Sequence, residues 1–120
     1  MKPILVLPLL LLAGCATRAD VEREGVRATF DSNLSVIGLA ACIDKNVDAF
    51  NSWMGSVNSK IIPGIDDAEV VVHSTGSPTQ VLVVVKIGGK VRGARAQFFF
   101  GSLWGTMPEH YLQRMTRNCE

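Results

Sequence analysis

Apolar and polar positions follow two rhythms along the chain. Between Asn33 and Met54, Val36, Ala40, Ile43, Val47, Phe50 and Met54 recur at steps of four and three, which predicts one apolar stripe on a helix. Gly55 stands just past its end, where a left-handed cap is wanted. A break near Asp44-Lys45-Asn46 would divide the segment into two shorter helices. Gly55 to Asp66 reads as a connector whose Ile61, Ile62 and Ile65 tuck onto the core. From Ala68 to Phe100 the period changes to two, predicting three antiparallel strands. Gly88-Gly89 reads as a two-residue hairpin turn that pairs Ile87 with Lys90 and Val83 with Ala94. A loop at Ser74-Thr75-Gly76-Ser77-Pro78 places Val72 near Val81. The two registers agree on one apolar face: Ala68, Val70, Val72, Val81, Val83, Val85, Ala94, Ala96, Phe98 and Phe100. The other face is mixed, as in a sheet covered on one side. Thr106-Met107-Pro108-Glu109 matches a capping box opening a helix to about Asn118, with Tyr111, Leu112, Met115 and Cys119 on one side. The expected fold is α+β: a three-stranded antiparallel meander with an N-terminal helix (or two) and a C-terminal helix packed on one face.

The first residues follow neither rhythm. Met1 to Gly14 holds Lys2 and then an apolar run from Ile4 to Ala13, too short for a stable bilayer span of about 20 residues. It has the parts of a secretory signal. Leu12-Ala13-Gly14-Cys15 resembles the lipobox of bacterial lipoproteins. That resemblance implies cleavage before Cys15, with Cys15 carrying diacylglycerol and an acylated amino terminus. Several acyl chains on one residue give stable attachment, where one is marginal. Ala16 rather than Asp follows, and by the family's sorting pattern this implies the outer membrane, with the domain facing the periplasm. The other reading is an ordinary secretory signal or short anchor with a chance cysteine. Residues 15–32, polar apart from Val21, Val26 and Phe30, read as a lipidated tether, part helical at most. The expected organisation is a signal peptide over 1–14, the tether over 15–32 and a single α+β domain over 33–120.

Removing the signal changes the composition. The 120-residue chain carries a net charge of +1; residues 15–120 sum to zero. They divide into a half of −4 up to Glu69 and a half of +4 from Val70 onward. The halves either attract each other within one fold or leave a basic face for an anionic partner. No excess of Lys and Arg suggests nucleic acid. With Cys15 lipidated, Cys42 and Cys119 remain, and an even pair in an oxidising compartment predicts a disulfide. Closing so long a loop contributes roughly 4 kcal/mol in the chain-entropy model.

Candidate chemistry is sparse. His73 and His110 have no adjacent acid and nucleophile in the sequence, and Asp66-Asp67 reads as a solvated loop. No metal-ligand spacing or phosphate-loop pattern occurs, so no catalytic residue, cofactor or metal is expected. The mixed sheet face is the exception. Val71, Leu82, Val84, Val91 and Phe99 lie there beside His73, Arg95 and Gln97, an apolar centre with a polar rim, as partner surfaces have. The other reading is that a loop or the segment near Phe30 covers this face. Val47 to Val57, VDAFNSWMGSV, resembles the helix-to-loop segment of SmpA/OmlA-type outer-membrane lipoproteins, with Met54-Gly55 in the family's Leu-Gly place and Val57 where the family has Pro. The resemblance implies two helices followed by three strands, and a scaffold supporting envelope assembly. The expected function is a non-enzymatic outer-membrane lipoprotein, held in lipid through acylated Cys15, that binds another envelope protein. The alternatives are a module holding a small apolar ligand or lipid between helix and sheet, an enzyme built on His73 or His110, and an accessory lipoprotein of a secretion, conjugation or exclusion system.

Overall fold

The computed structural model describes residues 17–49, 57–75, 80–101 and 108–120. Residues 1–14, expected as a signal peptide, Cys15, the run from Phe50 to Ser56 that holds Trp53 and Gly55, residues 76–79, and Thr106-Met107 lie outside them. The described elements are α1 (Arg18–Arg23), β1 (Ala28–Ser32), α2 (Val36–Asp48), β2 (Val57–Pro63), β3 (Asp67–Ser74), β4 (Val81–Gly89), β5 (Ala94–Phe100) and α3 (Pro108–Met115). The α+β class holds, but the sheet has five antiparallel strands, in the order β1-β5-β4-β3-β2, rather than three. The two added strands come from segments expected as tether and connector. The element order also departs from two helices followed by three strands.

The local reasons are legible. Thr17 and Asp20 form a reciprocal capping box at α1. Gly25, at φ +85°, turns the chain back into β1. In β1 the alternation Ala28-Thr29-Phe30-Asp31-Ser32 turns every second residue towards the core. The Ser35 hydroxyl accepts from the Gly38 amide, 3.0 Å away, and caps α2. That helix runs unbroken through Asp44-Lys45-Asn46 and buries Leu39, Ala40, Ile43 and Val47.

The core lies between the sheet and the helices α2 and α3. Nine of the ten residues expected on the apolar face are there; Val81 is not. Phe98 and Phe100 fill its centre, with ring centroids 6.3 Å apart. Both hairpin registers differ from expectation. Val83 pairs with Phe100 and Gly89 with Ala94, so Gly88 and Gly89 are strand residues. The turn is Lys90-Val91-Arg92-Gly93, with Gly93 at φ +84°. The register slips by an even number of residues, which leaves every side chain on its expected face. Between β3 and β4, Val72 pairs with Val83 but His73 with Val81. Leu82 is the extra residue of a β-bulge there. Beyond the bulge the faces exchange: Leu82 joins the core, and Val81 packs on the opposite side. Ile61 packs on the core and Ile62 is half-buried, but Ile65 stands fully exposed in the β2–β3 turn.

A disulfide joins Cys42 of α2 to Cys119, with 5.9 Å between their Cα atoms. Helix α3 ends at Met115, earlier than expected, and left-handed Asn118 (φ 62°) turns the chain so that Cys119 faces α2. Asn46 donates to the carbonyls of Met115 (2.8 Å) and Arg117 (2.9 Å). Buried Ser32 donates to the Cys119 carbonyl and accepts from the Leu34 amide. The C-terminal segment is thus fastened to both α2 and the end of β1.

Candidate functional site

The outer face of the sheet is built in cross-strand rows. Val71, Val84 and Phe99 form one row; Glu69, Lys86 and Gln97 the next; Asp67, Gly88 and Arg95 the row nearest the hairpin turns. Helix α1 lies over this face. Its Val21, only 1% exposed, packs against Val84 and Phe99 with Val81 alongside. The apolar centre expected as a partner surface is therefore already covered within the chain. Val84 is fully buried, Val71 and Phe99 are nearly so, and Leu82 points into the core. Of the eight residues expected there, His73, Arg95 and Gln97 keep substantial exposure on the sheet, and Val91 stands in the β4–β5 turn instead. His73 and Arg95 lie apart, His73 at the far end of β3 and Arg95 in the row nearest the turns.

The turn-proximal rows form a cavity of about 610 Å³. Arg18 of α1, Glu69, Lys86, Lys90, Arg95 and Gln97 are among the groups lining it. The charges hold one another in place. Arg18 pairs with Glu69, and its Nε lies 3.7 Å from Glu22. The Lys86 ammonium is 2.6 Å from Glu22 and 5.4 Å from the centre of the Phe99 ring. Asp31 of β1 accepts from Arg95 Nε at 2.7 Å, with Lys90 Nζ 3.6 Å away. The hydrogen bond and charge of Lys86, helped by Arg18, hold the Glu22 carboxyl below its ordinary range. Arg95, then Lys90, does the same for Asp31, and Asp31 in turn raises Arg95. The pairs Lys86–Glu22, Lys90–Asp31 and Arg95–Asp31 each join the basic half of the chain to the acidic half. This is the attraction within one fold that the charge division allowed.

The floor of the groove is backbone. A Cβ built on Gly88 meets nothing within 4 Å, so the glycine leaves open the space a side chain would fill. Among the described residues no His, Cys or Ser lines the groove. His73 contacts the Ser74 carbonyl at 3.3 Å, and the His110 ring stands edge-on to Tyr111 in α3. Among the described residues no group of three or more His, Cys, Asp and Glu could hold a metal ion, and no helix is long and apolar enough to cross a membrane. The sequence reading missed Arg18, Glu22 and Asp31. The Thr17-to-Asp20 capping pattern and the alternation over 28–32 were the available signals. No protein-family model, no curated protein and no solved structure matches this chain.

Proposed function

We propose that this chain is a non-enzymatic outer-membrane lipoprotein, anchored through acylated Cys15, whose domain binds another envelope protein through the charged groove beside α1. One observation carries the reading: the groove is concave, lined by Gly88 and Gly89, and its Arg18, Glu69, Lys86, Lys90 and Arg95 are already held in ion pairs. Fixed, paired charges recognise a partner by electrostatic complementarity at little ordering cost. The Cys42–Cys119 bridge suits an oxidising compartment. Among the described residues the cavity lies on the charged outer face, while Phe98 and Phe100 fill the space between helix and sheet. This favours a protein partner over a small apolar ligand held in the core.

The test is site-specific photo-crosslinking in cells. A photoreactive residue in place of exposed Gln97, beside the groove, is expected to yield one discrete adduct. The same residue in place of exposed Asn58, on β2, is expected to yield none. A Cβ at position 88 meets nothing within 4 Å, so Gly88→Leu is expected to extend into the groove and remove the adduct, with the thermal midpoint measured alongside to show that the fold holds. An adduct that survives Gly88→Leu, or equal adducts at both positions, contradicts the groove.

A further inference from the structure

We infer that the domain does not stand off the bilayer but sits on it, with the β2–β3 and β4–β5 hairpin tips dipping into the lipid surface. The inference rests on the proposed acylation of Cys15 and adds an orientation to it. The residues expected as a tether are folded: α1 begins at Arg18 behind its Thr17 cap, and β1 ends at Ser32. One residue, Ala16, lies between Cys15 and Thr17, and the two Cα steps reach at most about 7 Å. The membrane plane therefore passes close to the start of α1. Arg18 lines the groove together with Asp67 and the run Gly88 to Lys90, which lead into the two turns.

In an antiparallel sheet of this order, the β2–β3 and β4–β5 turns lie at one end, about 10 Å apart at ordinary strand spacing. Each carries a large apolar side chain wholly in solvent: Ile65 in the first and Val91 in the second. Neither packs on the core. Lys90 and exposed Arg92 flank Val91, an apolar tip between cations that suits insertion among phosphate headgroups. Ile65 is followed by Asp66 and Asp67, so Val91 makes the deeper contact of the two. In this pose the groove opens along the membrane surface, and a partner reaching it is embedded in or resting on the same leaflet.

The experiment uses the full acylated protein, purified from membranes and reconstituted in vesicles of phosphatidylethanolamine and phosphatidylglycerol. An environment-sensitive fluorophore is attached through Ile65→Cys, Val91→Cys or, at the far end of the sheet, Asn58→Cys. All three positions are exposed, so the fold tolerates the label. Labels at Val91 and Ile65 are expected to shift to the blue and to be quenched about twofold or more by lipids brominated near the headgroup. The Asn58 label is expected to stay water-like. Tips that remain water-like on protein that floats with the vesicles overturn the docking and leave the anchor intact. Protein that lacks acyl mass and fails to float overturns the anchor, and the docking with it.

Discussion

Gly93 is the residue on which the β4–β5 turn depends. Its φ of +84° is rare for an L side chain, and a Cβ there would stand 1.9 Å from the Ser32 carbonyl oxygen. The obstacle is backbone and cannot swing aside. Gly93→Ala is expected to cost about 2 kcal/mol or more, read as a lower urea midpoint; an unchanged midpoint would contradict the turn geometry. The sequence pointed instead to Gly88-Gly89 as the turn, because paired glycines between apolar runs fit a two-residue hairpin equally well. Binary patterning cannot tell a two-residue loop from a four-residue one when the slip is even. Leu82 and Val81 show the complementary failure. A bulge adds one residue without changing composition, so the exchange of faces at this point leaves no trace in an all-apolar run. Phe99 shows the cost of reading a face without knowing its cover. It was legible as outward and is outward, yet Val21 makes it interior.

At the scale of elements, the long α2 and the strands β3 to β5 were legible because each presents enough residues for a period to repeat. Helix α1 has six residues and β1 five, too few for periodicity to stand out against polar neighbours. Both are held by tertiary contacts that no local pattern encodes: Val21 on the outer face and the β1–β5 ladder. Their ion pairs give the chain an acid-sensitive edge. In the folded chain Glu22 and Asp31 sit below their ordinary pKa values, so the unfolded chain binds more protons as pH drops through the usual carboxylate range. Their stabilisation is complete above that range and is lost as pH falls through the folded values, below about pH 4. The melting temperature is expected to hold from neutral pH to about 5 and then fall. Glu22→Gln should flatten that fall, and added salt should weaken it. An identical pH profile for the parent and Glu22→Gln would remove the pair from the account of α1 docking.

Over the whole molecule, the described structure begins at Thr17, two positions past the proposed anchor, and its C-terminal segment is fastened by the Cys42–Cys119 bridge and by Asn46, which holds the Met115 and Arg117 carbonyls. Cysteine parity made the bridge legible, and the split of charge into halves anticipated the pairing of β4 and β5 cations with α1 and β1 carboxylates. The groove itself was not legible. It needs α1 to fold over the sheet, and nothing in a capped six-residue helix says where it docks. What the groove binds and where it points both depend on Cys15. The most direct measurement is the intact mass of the protein extracted from outer membranes. The mass should equal residues 15–120 plus the diacylglyceryl and acyl groups on Cys15, less the hydrogens lost on bridging Cys42 and Cys119. A chain that retains residues 1–14, or one that begins at Cys15 without lipid, would contradict the anchored, membrane-seated domain.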